Sequence, residues 1–287
     1  MKRLSAFRCV AFLFFTYFLS ACSSPNLLPG RTQASAYAKQ AGWSYAKVDT
    51  GRFSVAAAFS SVPANGRPLT VYLEGDGRAF SGASTPSADP TPATPVALRM
   101  ALLNPTPAAW VARPCQYTDS ATAKGCAVAY WTSHRYAPEI IESIGRVVDD
   151  LKQRTGAQKV VLVGYSGGGA VAALLAARRT DVTGFVTVAA NLDLGYWTRA
   201  DNLAPLSGSL DPVDDAQRLR GIPQIHFVGG QDDVVPPAVV RSYLSKLGSP
   251  SNARLVEKAD YDHQCCWIDG WSELVRRPET AIITGWR

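Results

Sequence analysis

Histidine is scarce in this chain of 287 residues, which holds three: His134, His226 and His263. Any chemistry that needs an imidazole must choose among them. No CxxC pair accompanies them, so a structural zinc site is not indicated, and no metal or other cofactor is expected. Heptads and internal repeats are missing, which removes coiled coils and solenoids. No basic run is interleaved with aromatics, and charged residues make up only 18% of the chain, so nucleic acid is not an expected partner. The longest apolar run, about 11 residues, is too short to cross a bilayer.

What remains is enough for a packed interior. Apolar residues supply 47% of the chain, and the length suits one large core or two small ones.

The N-terminus has its own grammar. A basic "MKRLSAFR" precedes the apolar "CVAFLFFTYFL", the pattern of a secretory signal peptide. "LSAC", Leu19 to Cys22, resembles the bacterial lipobox, in which the cysteine is acylated and becomes the new N-terminus. Each buried acyl methylene would contribute about 0.8 kcal/mol to membrane attachment. Ser23 rather than Asp follows Cys22. The resemblance therefore implies an outer-membrane lipoprotein facing the periplasm. The expected organisation is a signal peptide over 1–21, a lipidated N-terminus and flexible tether over 22–45, and one domain over 46–287. Cleavage removes Lys2, Arg3 and Arg8 and no acid, leaving 26 basic and 23 acidic side chains, a net charge of +3 in place of +6.

Four further cysteines, Cys115, Cys126, Cys265 and Cys266, would lie in an oxidising compartment. Three connectivities are open. Cys115–Cys126 closes a short loop and is the first choice. Cys265 and Cys266 either pair with each other or tie their loop to the other two.

Within the domain, strand-formers alternate with helix-formers. "RFSVAAAFS", "PLTVYLEGDG", "AAWVARP", "KVVLVGY", "VTGFVTVAAN", "IPQIHFVGG" and "ARLVEKA" read as strands. "VALRMALLN", "PEIIESIGRVVDDLKQRTG", "GGAVAALLAARR" and "PAVVRSYLSKLG" read as helices. Strands apolar on both faces, alternating with helices, predict an α/β fold with a mostly parallel central sheet covered on both sides. Ligands bind such folds along the C-terminal ends of the strands. Ser81–Pro95 carries four prolines and is expected to be a surface loop.

One rim position stands out. "KVVLVGYSGGGA" sets Ser166 in G-x-S-x-G, between a buried strand and a helix. A sharp strand-to-helix turn strains the serine backbone, and Gly164 and Gly168 relieve collisions there. A serine hydroxyl needs a general base, and the base needs an orienting acid. His263, in the loop after the last strand, is the preferred base. His226 lies inside a strand and is expected to be a buried, satisfied ring; His134 could line a pocket. Asp232, just past the strand "IHFVGG", is the preferred acid. Asp233 and Asp193 are rivals, and any of these could instead cap a helix.

The order Ser166…Asp232…His263, each after a strand, resembles the α/β-hydrolase superfamily, over about residues 52–271; "YLEGDG" is similar to a subgroup of bacterial envelope lipoproteins. The resemblance implies an oxyanion hole from the backbone N–H of Gly167 and of Asp76, the latter in "LEGDGRAF" where relatives usually carry His-Gly. Glu74 and Asp76 are then an unusual carboxylate pair near the site: structural turn residues, or else partners of Arg78 or Arg135 or repellers of anionic substrates. The implied protein is a monomeric serine hydrolase of small-molecule esters, thioesters or amides, held to the membrane by its N-terminal lipid. A serine peptidase, or a lipid-anchored scaffold without activity, are the other readings.

Overall fold

A computed structural model of the chain describes residues 30–104 and 107–286. The expected signal peptide and Cys22 lie outside the described residues.

Eight strands form one sheet: β1 (Ser44–Asp49), β2 (Ser54–Phe59), β3 (Leu69–Leu73), β4 (Ala108–Val111), β5 (Val160–Tyr165), β6 (Val182–Val188), β7 (Gln224–Gly229) and β8 (Ala253–Lys258). Their spatial order is β1-β2-β4-β3-β5-β6-β7-β8. β2 is antiparallel to both its neighbours, and β4 through β8 run parallel.

Strand composition follows from position. β3, β4, β5 and β7 are buried at every residue. Alternate side chains of β5 enter different cores, Val160 and Leu162 on one face, Val161, Val163 and Tyr165 on the other. The first core is closed by α3 (Pro138–Thr155), α4 (Gly167–Ala176) and α7 (Pro237–Leu247); the second by α1 (Gly30–Gln40), α2 (Val96–Leu102) and α8 (Trp267–Leu274). α3 shows how sequence makes such a helix. Pro138 opens it, the stripe Ile140, Ile141, Ile144, Val147, Val148 and Leu151 is buried, and Gly156 ends it in the left-handed region at φ 72°.

Three elements differ from the sequence reading. α1 lies within the segment expected to be a tether, with Gln33, Ala34 and Ala38 buried against the second core. Its neighbour β1 pairs with β2 along six residues, so ordered structure starts before residue 46. α8 was not anticipated either; it buries Trp267, Trp271 and Leu274. α5 (Leu194–Ala200) and α6 (Ala216–Leu219) complete the set of α-helices among the described residues.

The strand order places the site. From β3 the chain crosses to β4 on one side, then returns to β5 on the other. The connections after β3 and β5 thus diverge, which opens a crevice beyond the strand ends at this switch point. Glu74–Asp76 and Tyr165–Gly167 are the residues that flank it.

Candidate active site

Ser166 stands between Tyr165, the last residue of β5, and Gly167, the first residue of α4. Its backbone sits at φ 50° and ψ −124°, in the left-handed half of φ space that costs a non-glycine residue about 1–3 kcal/mol. Neighbouring contacts hold it there. Ser166 N–H donates to Val188 O at 2.8 Å, and Ser166 O accepts from Gly169 N–H at 2.9 Å. A Cβ on Gly164 would overlap the Gly168 backbone, and one on Gly168 would overlap the Leu73 carbonyl. The motif glycines are therefore places where backbone meets backbone. Gly167 is constrained too, because a Cβ there would overlap the Asp76 carboxylate.

His263 and Asp232 arrive from the loops after β8 and β7. His263 Nε2 lies 3.0 Å from Ser166 Oγ. His263 Nδ1 lies 2.9 Å from Asp232 Oδ2 and 3.1 Å from Oδ1. A carboxylate at Nδ1 can only accept, so Nδ1 carries the proton and Nε2 is left to accept from the serine hydroxyl. The Asp232 side chain is wholly buried, and Oδ1 also accepts from Val234 N–H at 3.0 Å and Val235 N–H at 2.7 Å. The His263 loop is shaped by Asp262, which accepts from Gln264 N–H at 2.7 Å and Cys265 N–H at 2.6 Å. Tyr165, the variable residue of the motif, reaches across and donates its hydroxyl to His263 O at 2.8 Å. Its ring lies 5.6 Å from the imidazole.

The rival residues go elsewhere. Asp233 is exposed. Asp193 caps α5 through Tyr196 N–H and accepts from Ser242 Oγ at 2.6 Å. His226 is fully buried, held by Thr187 Oγ1 at 2.8 Å and Gln224 Oε1 at 3.1 Å. His134 bonds Ser133 Oγ at 2.8 Å and packs against Gly208 rather than Ser166.

The unusual carboxylates are both spoken for. Glu74 is buried and makes no ion pair with Arg78 or Arg135. It accepts from Trp110 Nε1 at 2.9 Å, Gly75 N–H at 3.2 Å and Ala97 N–H at 3.3 Å. Burial pushes its carboxyl up to about 7, against the pull of those donors. Its lack of exposure removes it as a repeller of anions. Asp76 does meet Arg135, at 2.9 Å, and also Arg113 at 2.7 Å and the Tyr136 hydroxyl at 2.6 Å. Burial alone would raise the Asp76 carboxyl, but the charges of Arg135 and Arg113 outweigh it and hold it below its ordinary value. Arg113 and Tyr136 were not foreseen; nothing in "ARPCQY" or "HRYAPE" marks them before the chain is folded.

Cys115 pairs with Cys126, as the short-loop reading expected, and Cys265 pairs with Cys266. The two loops are not cross-linked to each other. No group of three metal-binding side chains occurs among the described residues.

With this geometry in view, comparisons place the chain among known folds. A family model described as the alpha/beta hydrolase fold matches residues 112–212. No curated protein matches. Among solved structures, Est1E from Butyrivibrio proteoclasticus is similar with a TM-score of 0.57 at 16% identity, over 84% of this chain and 98% of that one. The Pyrococcus furiosus esterase Pf2001 is similar with a TM-score of 0.57 at 13% identity, over 83% and 92%. A putative lipase from Acinetobacter baumannii is similar with a TM-score of 0.56 at 12% identity, over 90% and 97%. The chain adopts the α/β-hydrolase fold.

Proposed function

We propose that this protein is a serine hydrolase of carboxylic esters, with Ser166 as nucleophile, His263 as general base and Asp232 as the orienting acid. The observation that carries the reading is the unbroken chain of bonds from Asp232 through His263 to Ser166 Oγ, on three loops separated by up to 97 residues. Structural relatives that are named as esterases support it.

Each step follows from a placed atom. Ser166 Oγ attacks the acyl carbonyl carbon while its proton moves to His263 Nε2. The imidazolium so formed is stabilised by Asp232, whose carboxylate is desolvated and faces Nδ1. Negative charge grows on the carbonyl oxygen, beside the N–H groups of Gly167 and Asp76. Neither N–H has a protein acceptor among the described residues. Collapse of the adduct breaks the C–O bond, and the leaving alkoxide takes the proton from Nε2. Water then repeats the sequence on the acyl-enzyme and releases the acid. Tyr165 holds the His263 backbone, so the ring stays in register through both halves.

Acylation of Cys22 would anchor this domain to the periplasmic face of the outer membrane. The reading rests on the lipobox-like "LSAC", which lies outside the described residues.

The test is a panel of p-nitrophenyl esters of rising acyl length, with Ser166→Ala beside the parent chain. Turnover that falls by at least 1,000-fold in the variant, with unchanged melting, is expected. Equal rates for the two chains would remove Ser166 from the chemistry.

A further inference from the structure

The Asp76 N–H can serve as a donor only if its peptide plane is held, and four side chains from the segment after β4 hold it. Gly75 O and Asp76 N–H belong to one planar trans peptide, so they point in opposite directions. Gln116 Nε2 donates to Gly75 O at 2.9 Å. The Gln116 amide cannot turn over without loss, because its Oε1 accepts from Arg113 N–H at 3.2 Å. With the carbonyl tied to Gln116, the N–H of Asp76 must face away from it. Gly75 itself lies against Tyr165 and Ser166, where an added Cβ would stand 3.4 Å from Ser166 Cβ.

The Asp76 side chain fixes the other end of the plane. Its carboxylate takes Arg113, Arg135 and Tyr136, as described above. Arg113 Nη2 also donates to Arg135 O, so the two arginines brace each other. Both guanidinium side chains are nearly buried, 6% and 9% exposed, against the Asp76 carboxylate. That burial decides between two roles for the arginines. They are spent on Asp76 rather than presented to a substrate carboxylate.

We infer that Gln116, with Arg113, Arg135 and Tyr136 acting through Asp76, forms a positioning lock that keeps the Gly75–Asp76 peptide in the orientation the oxyanion requires. The lock rests on the hydrolase reading for its purpose but not for its existence. Cys115 and Tyr117, either side of Gln116, hold φ of 72° and 57°, and Cys115 is tied to Cys126. The segment that carries Gln116 is therefore itself held in shape.

Asp76→Asn would strand two buried arginines and risk unfolding, so Gln116→Met and Tyr136→Phe are the better variants. The first removes the bonds that Gln116 makes to Gly75 O and Arg113 N–H, the second the Tyr136 bond to Asp76, and each leaves both ion pairs. Three quantities are measured: ester kinetics, inhibition by an alkylboronic acid that forms a tetrahedral serine adduct, and the amide proton–nitrogen resonance of Asp76, whose N–H belongs to the peptide held by the lock. The expected result is a kcat lowered about 10- to 100-fold with KM within about twofold, since losing an oxyanion donor outright costs about 100- to 1,000-fold. The boronate constant should weaken in step, and the Asp76 amide resonance should shift and broaden as its peptide leaves the single held orientation. Variants that melt earlier but keep kcat, boronate affinity and the Asp76 amide resonance would overturn the lock. If the parent chain shows no Ser166-dependent turnover, the hydrolase reading falls. The amide resonance then decides the lock alone, with an Asp76 peak unchanged in position and width refuting it.

Discussion

Acidification should meet one buried imidazole that refuses its proton. His226 sits in the middle of β7, fully buried, with Phe185 and Tyr243 ring centroids 5.8 and 5.6 Å away. Gln224 Oε1 can only accept, so it takes the proton of Nε2, and Nδ1 accepts from the Thr187 hydroxyl. Every polar atom of the neutral ring is thereby satisfied. A second proton would put a charge in a fully buried site whose hydrogen-bond partners are a neutral hydroxyl and a neutral amide. Burial accordingly lowers the ring from 6.5 to about 3. The unfolded chain takes up this proton near 6.5 and the folded chain does not. The stabilising difference is therefore complete above pH 6.5 and declines as the pH falls toward 3. Each pH unit in that window costs about 1.4 kcal/mol, so moving from pH 6.5 to 5 should cost about 2 kcal/mol. Glu74 runs the opposite way. Its folded carboxyl is raised from 4.5 to about 7, so it destabilises the fold as pH rises through that range. The two effects offset each other between about 4.5 and 6.5, and bulk unfolding curves there would conceal both. The direct assay is the Cε1–H proton resonance of His226, assigned by comparison with His226→Gln. It should hold its neutral position down to about pH 4.5. An inflection between about pH 5.5 and 7 would refute the reasoning.

Three other outcomes are expected. Gly167→Ala forces a methyl into the Asp76 carboxylate. It should reduce kcat by about 100-fold or more through displacement of the oxyanion loop, whereas Gly169→Ala, which meets the Ala190 methyl, should show up first as a lower melting temperature. Replacing Cys115 and Cys126 together by Ser opens a loop with a sequence separation of 11, and should destabilise the domain by about 3 kcal/mol in urea titration.

Much of the architecture was legible because burial leaves a local imprint. β5 and β7, covered on both sides, read as continuous apolar runs; α3 carried its stripe, its proline and its terminal glycine in sequence. The two ends of the domain were less legible. α1 is rich in Ala and polar residues and shows only a weak apolar face, so "GRTQASAYAKQ" looks like a linker until β1 pairs with β2 beside it. α8 depends on Trp267 and Trp271, residues as much at home in a strand as in a helix.

The site divides along the same line. G-x-S-x-G, three histidines and a handful of rim aspartates are statements about single short segments, and they were enough to nominate Ser166, His263 and Asp232. By itself the sequence determined which groups were available and in what order along the chain. Which aspartate would reach His263 was decided only when β7 and β8 lay side by side, which buried Asp232 against the ring and left Asp233 in solvent. Whether Glu74 and Asp76 would face a substrate was likewise decided by tertiary packing. Trp110 and α2 took one carboxylate, and two arginines with a tyrosine took the other. Desolvation and ion pairing depend on distances between segments that the linear order does not contain, and so the charge environment of the site belongs to the fold.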